Sequence, residues 1–290
     1  MKTEEEEFEE IVLSLPQEQQ AEIRKQAESG VPGAAEYALA WALLYQQNWC
    51  GKTAPFDTWL RRAMRKGHTE AMCDHAALLG SLYRHVSWYR KAAALGSGRG
   101  AQKVLIHYNC LNHSAQVLRH LRRYLRQGIQ PEAFEWFTDT LQLSAEERER
   151  ELGIAVLCEL GKAGHADACY DLGRLFYFGE LRCLHVEKSL ALALRWWKRG
   201  ADLGHAGCCF ELGLMYEHGE GTRRNRKRAF RCYEKSAELG NLQGLTNLGY
   251  AYYWGIGCKK DVQRCVSLFE QAGAKGDTKV AAYNLASRYY

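Results

Sequence analysis

Proline is scarce, four among 290 residues, so little of the chain is barred from helix. No long apolar run occurs either. The longest uncharged stretch, Tyr37 to Gly51, falls short of the ~20 apolar residues that span a bilayer. The N terminus lacks a basic start followed by an apolar segment, so no secretory signal peptide is expected. No Cys-x-x-Cys pair is present, Cys208 and Cys209 point to different faces of a helix, and the ten histidines are scattered; zinc-ligand spacings are therefore missing. No serine or cysteine stands beside a base in a nucleophile-activating arrangement. Gly219-Glu220-Gly221 is no phosphate loop, because no strand precedes it and the same spacing recurs as Gly255-Ile256-Gly257. The expectation is a non-enzymatic chain with no cofactor and no metal.

What the chain does have is repetition. Between Gly164 and Tyr290 one phrase is written three times and begun a fourth. The first copy runs Gly164-His165-Ala166, Leu172-Gly173, Gly179, Ala193, Trp196-Trp197, Gly200-Ala201. The second runs Gly204-His205-Ala206, Leu212-Gly213, Gly219, Gly221, Ala229, Cys232-Tyr233, Ser236-Ala237. The third has Gly240-Asn241, Leu248-Gly249, Gly255, Gly257, Cys265, Leu268-Phe269 and Ala272-Gly273, and the fourth opens at Gly276-Asp277. Opening glycines at 164, 204, 240 and 276 give periods of 40, 36 and 36, the signature of stacked supersecondary units.

Within each copy the apolar residues fall at helical spacing in two blocks, such as Ala168, Leu172, Leu175, Phe176 and then Ala193, Trp197, Ala201. Each copy therefore predicts two amphipathic helices with glycines ending them, and Asn241 and Asp277 as N-caps. His165 and His205, at the opening turns, are expected to be structural. The small residues at 173, 213 and 249 are expected to let paired helices approach closely. No copy can bury its apolar face alone, so stacking makes the core.

These residues resemble the Sel1-like repeat, a relative of the tetratricopeptide repeat, whose phrase is roughly A-x-x-x-L-G-x-x-Y-x-x-G-x-G, a short loop, then A-x-x-[WY]-[YF]-x-x-A-A. Thr222-Arg223-Arg224 and Cys258-Lys259-Lys260-Asp261 stand where the family usually has Val then Asp, so the loops are individual. The resemblance implies an all-α, right-handed α/α superhelix, a solenoid of helix pairs.

A fainter ladder precedes it, with glycines at 30, 67, 96 and 128. It predicts seven helix pairs, preceded by a lone second-type helix and followed by a lone first-type helix. Residues 1–13 read as an acidic flexible tail, 14–163 as degenerate repeats and 164–290 as well-formed repeats continuous with them; the stretch 96–160 continues the array, bends it or splits it into two halves. Ser14-Leu15-Pro16-Gln17 and Ser144-Ala145-Glu146-Glu147 read as capping boxes opening helices. The terminal helices Pro16–Ser29 and Lys279–Tyr290 are candidates for self-association.

Eleven cysteines are many. Cysteine-rich Helicobacter members of the resembled family pair cysteines eight residues apart. Cys169 and Cys209 match the second of such a pair, but Gly161 and Ala201 stand where the first should be. With an odd total and no export signal, the cysteines are expected to be reduced core thiols of a cytoplasmic protein.

The resemblance implies an interaction scaffold or adaptor whose concave groove takes a partner protein or peptide, as a bacterial regulator or a toxin-neutralising immunity protein would. By the tetratricopeptide relationship, groove positions are Asp171, Arg174, Tyr177, Glu211, Leu214, Glu217, Asn247, Tyr250, Tyr253 and Asn284, with Ser287 and Tyr290. The alternative is an anion-binding protein acting on RNA, DNA or acidic lipid through Arg223, Arg224, Arg226, Lys227 and Arg228. A second basic stripe, Arg119, Arg122, Arg123 and Arg126, reads equally as a helix's solvent face. A net charge of only +5 disfavours nucleic acid.

Overall fold

The computed structural model describes residues 3–46, 54–79 and 82–274. It is all-α, as expected, and forms two compact units, Met1–Phe134 and Glu135–Tyr290. The first unit contains α1 (Glu4–Leu13), α2 (Gln17–Glu28), α3 (Ala34–Gln46), α4 (Ala54–Arg65), α5 (Thr69–Leu78), α6 (Leu82–Ala94), α7 (Gly98–Cys110), α8 (Ser114–Arg126) and a 3-10 turn at Pro131–Phe134. The second contains α9 (Glu135–Gln142), α10 (Glu147–Ala163), α11 (Ala166–Phe178), α12 (Leu190–Asp202), α13 (Ala206–His218), α14 (Arg226–Glu238), α15 (Leu242–Trp254) and α16 (Val262–Ala274). The boundary falls within the degenerate stretch 96–160. Residues 135–163 go with the regular repeats because α10 packs on both α9 and α11.

The glycine ladder marks the joints of both units. Gly30, Gly67, Gly96, Gly128, Gly164, Gly204 and Gly240 all take positive φ, from +72° at Gly30 to +105° at Gly164. Seven helix pairs follow them, α3–α4 through α15–α16. The next glycine, Gly276, the Asp277 cap and the helix expected over Lys279–Tyr290 lie outside the described residues.

Behind five of these seven joints, a side chain caps the next first helix. His68, Ser97, His165, His205 and Asn241 each accept the backbone N–H three residues on, in α5, α7, α11, α13 and α15. The histidines use Nδ1, which leaves Nε2 to carry the ring proton.

The core of the second unit is made where second-helix aromatics cross first-helix glycines. Trp197 of α12 lies on Gly173, Tyr233 of α14 on Gly213 and Phe269 of α16 on Gly249. Leu172, Leu212 and Leu248 are buried beside them.

Three local expectations are corrected. Residues 4–13 are helix, not a free acidic tail: Thr3 and Glu6 form a reciprocal capping box, and Glu4 to Glu7 fill the first turn, where the helix dipole favours anions. Phe8 packs edge-on against Trp59, and Glu7 pairs with Arg62 at 2.9 Å. Neither expected capping box forms. Ser14 ends α1, its hydroxyl donating to the Ile11 carbonyl, and Pro16 stands at the N-cap of α2 without a side-chain bond. Ser144 Oγ accepts the Glu146 amide two residues on, leaving α10 uncapped by a side chain. Finally, the 40-residue first copy contains a small antiparallel ladder, β1 (Glu180–Leu181) with β2 (Leu184–His185), where no sheet was expected. It accounts for that copy's extra length.

Candidate functional site

The expected groove positions lie on α11, α13 and α15, successive first helices that pack against one another. All nine on the described residues, Glu217 included, are half-buried, whereas the neighbouring Leu-Gly pairs are buried. Asn284, Ser287 and Tyr290 lie outside the described residues.

Four of them form one electrostatic patch across α11 and α13. Burial raises Asp171 above the ordinary carboxylate range, and Arg182 and Arg174 pull it back. Burial likewise raises Glu211, opposed by Arg174. Tyr177 donates its hydroxyl to Glu220 at 2.5 Å; that bond, with burial and the charges of Glu220 and Glu211, pushes it up to about 12. Arg174 also sits 5.8 Å above the Tyr170 ring.

The remaining positions are more committed to the fold. Leu214 packs on the core. Glu217 accepts the hydroxyl of buried Tyr233 at 2.7 Å, and the Asn247 side chain hydrogen-bonds the same hydroxyl. Tyr250 meets Phe269 edge-on at 5.3 Å. Tyr253 stands at the open end of α15 against Trp254, with Lys260 5.2 Å over its ring.

Beside Asp171 the second unit has a cavity of about 210 Å³, whose rim carries Glu135, Asp139, Asp167 and Arg182. Arg182, held at φ +52° by the β1–β2 turn, pairs with Asp139 at 2.5 Å. Gln142 is buried in its wall, and its Oε1 has no hydrogen-bond partner among the described residues. Ligand atoms of Glu135, His165 and Asp167 lie within 4.8 Å of one another, close enough to suggest a metal site. The His165 ring argues against one. Its Nδ1 lone pair is held by the Ala168 amide at 3.1 Å, so the Nε2 proton faces Glu135 at 3.2 Å. Ligation through Nε2 would require giving up the helix cap. His205 repeats the arrangement, with Nδ1 on the Cys208 amide and Nε2 3.1 Å from Asp167.

Arg223, Arg224, Arg226, Lys227 and Arg228 are exposed, as a basic site requires. Two of them already have work within the fold. Arg224 Nε donates to the Glu217 carbonyl in the last turn of α13, where a cation favours the helix dipole. Arg228 sits 5.6 Å above the Tyr216 ring.

Sequence reasoning overlooked Phe178 and Trp254, which are 48% and 66% exposed at the last residues of α11 and α15. Their position immediately before the loop glycine was the available signal. It presents an aromatic at the end of the first-helix face.

Ten cysteines fall on the described residues, all free thiols; Cys50 lies outside them. Cys73, Cys169, Cys208, Cys209 and Cys265 are buried. No helix among the described residues is long and apolar enough to cross a membrane.

Comparison with known proteins agrees with this architecture. The model of the Sel1 repeat matches residues 86–97, 166–205, 206–241 and 242–277. The match at 86–97 covers the end of α6 and the Gly96 joint of the fainter ladder. A Sel1 repeat protein from Oxalobacter formigenes superposes with a TM-score of 0.54 at 21% identity, over 97% of this chain and 84% of that one. A protective antigen of uropathogenic Escherichia coli displaying an SLR fold has a TM-score of 0.50 at 23% identity, over 90% of this chain. This chain spans 49% of that protein's length. An immunity protein from Pseudomonas aeruginosa is similar at 18% identity and a TM-score of 0.36, over 72% of this chain and 83% of that one. No curated protein matches the sequence.

Proposed function

We propose that this chain, whose residues 86–97 and 166–277 match the Sel1 repeat, is a non-catalytic interaction scaffold that binds a partner protein or peptide along its first helices. The observation that carries the proposal is the patch of Asp171, Arg174, Tyr177 and Glu211 on α11 and α13. Half-buried charges of both signs and a tyrosine on neighbouring helices offer directed hydrogen bonds within a partly desolvated surface. Exposed Phe178 and Trp254 add apolar area at one end of the same helices. The rim of Glu135, Asp139 and Asp167, with the unpartnered Gln142 Oε1 behind it, favours N–H donors from the partner. Helix-repeat proteins use surfaces of this kind for binding. Adaptor, regulator and toxin-neutralising immunity protein are all roles within this proposal. Its place is the cytoplasm, where the buried free thiols stay reduced.

The alternative site is the basic loop, supported by Arg223, Arg226 and Lys227, which are exposed and make no ion pair among the described residues. Salt separates the two. Affinity capture from the native host is run at about 0.15 M and about 0.5 M salt, where screening is short-ranged. A groove partner stays bound at the higher salt. A phosphate-bearing ligand on the loop is released, because its affinity falls steeply with salt.

A further inference from the structure

The first unit holds a charge pattern that the groove does not use. Between Asp74 and Glu132 the sequence contains no Asp or Glu, but nine Lys or Arg. Helices α6, α7 and α8 lie wholly within that stretch. The apolar side of α8, Val117, Leu121 and Tyr124, is buried, and Arg119, Arg122, Arg123 and Arg126 are exposed. A solvated helix face would account for those four alone. Arg90 comes from α6, however, and converges on the same place.

The convergence forms a cleft of about 690 Å³, lined by these five arginines, His120 and Tyr108, with no carboxylate among the described residues of its wall. Tyr108 of α7 organises it: the ring stacks on His120 at 4.8 Å and 16°, and its hydroxyl accepts from Arg90. The cationic field is felt inside the cleft. Burial, then Arg90, Arg123 and Arg119, hold His120 below the ordinary histidine range. Guanidinium groups gathered around one concavity repel each other unless an anion joins them. Arg123 and Arg126 also lie in the last turn of α8, where the dipole favours a cation, and Arg90 is oriented by the Tyr108 hydroxyl; Arg119 lies outside that turn.

We propose that this cleft binds a compact polyphosphorylated ligand, with Arg90, Arg119 and Arg123 holding its phosphates. The planar, always-charged guanidinium matches phosphate oxygens in pairs, and several arginines require several phosphates. The volume lies within the ~300–1,000 Å³ of small-ligand sites. A nucleic acid would call for an extended basic track rather than a single concavity. The clustered phosphates belong either to a free soluble molecule or to a phosphorylated lipid headgroup.

The probe is inorganic tripolyphosphate, titrated calorimetrically into the full chain at about 0.15 M salt. One site per chain and a raised melting temperature are expected. Arg119→Gln with Arg123→Gln should weaken binding about tenfold or more, as expected when two charged hydrogen-bond donors are lost. Arg90→Gln should also weaken it, and circular dichroism should match wild type for both. Arg223→Gln with Arg226→Gln should leave it unchanged. Vesicles containing phosphatidylinositol bisphosphate separate the sources. Binding that tripolyphosphate competes away indicates a lipid headgroup, and no vesicle binding indicates a soluble ligand; both fit the proposal. Absence of tripolyphosphate binding overturns it. So does equal weakening by the Arg223/Arg226 variant, or tighter binding of single-stranded DNA than of tripolyphosphate.

Discussion

The indole of Trp197 lies so close across Gly173 that a β-carbon there would stand 2.1 Å from Nε1. Trp197 also donates that N–H to the Tyr170 carbonyl at 3.2 Å, so the glycine seats the ring and the backbone fixes it. The contact recurs between Tyr233 and Gly213 and between Phe269 and Gly249. It explains why a Leu-Gly pair is followed by an aromatic in each copy, 24 residues after Gly173 and 20 after Gly213 and Gly249.

Gly213→Ala tests it. The added carbon would meet the Tyr233 ring at 2.3 Å, and overpacking of this kind costs ~1–3 kcal/mol. Leu212→Ala, at the adjacent buried position, should cost about 2–5 kcal/mol. Urea titration reads both. A Gly213→Ala protein as stable as wild type would contradict the seating.

The pH dependence follows from the histidine caps. His68 Nδ1 must be neutral to accept the Ala71 amide, and burial, although opposed by Glu70, Asp74 and Glu36, holds the ring below its ordinary 6.5. His107 and His120 shift the same way, again chiefly through burial. The unfolded chain thus takes up protons first as pH falls. Stability is full above the ordinary histidine value and is lost as pH drops through the folded value. His68→Asn keeps an acceptor that does not titrate, as Asn241 does on α15. The urea midpoint should fall less between about pH 7.5 and about pH 5 in this variant than in wild type, and an identical fall would refute the cap's role.

Thiol reactivity should follow burial. Burial pushes Cys73, Cys169 and Cys232 up to about 11, and Cys208 higher still. Cys110 is exposed. Brief alkylation of the native protein near neutral pH, read by mass spectrometry, should label Cys110 well before Cys73, Cys169 and Cys208, because only thiolate reacts. In denaturant without reductant all should label. Early labelling of Cys208 would mean that its helix pair opens.

The parts of the fold legible in sequence were those written by backbone necessity. Only glycine accepts the left-handed joints cheaply, so the ladder from Gly30 to Gly240 was visible even where the consensus letters had faded. Caps were legible when made by Asn241 and missed when made by His68, whose role depends on which ring nitrogen is protonated. Helix α1 was hidden because its six glutamates among Glu4–Glu10 suggest a solvated tail; its order depends on Trp59 and Arg62, distant in sequence. Groove positions were legible as a register, but not their partners: that Asn247 is tied to Tyr233 while Arg174 faces Asp171 and Glu211 depends on neighbouring helices. The arginine stripe of α8 was seen, and its cleft was not, since Arg90 joins it from α6.

The most direct test of the scaffold is affinity capture from the native host with three baits: wild type, Arg174→Ala with Tyr253→Ala, and Arg223→Ala with Arg226→Ala and Lys227→Ala. Arg174 and Tyr253 are half-buried groove residues on α11 and α15 and lie outside the core, so melting temperature should scarcely change. The groove variant should lose the wild-type partner, with affinity reduced by ~2 kcal/mol or more once that partner is purified, while the loop variant should retain it. Retention by the groove variant and loss by the loop variant would contradict binding in the groove.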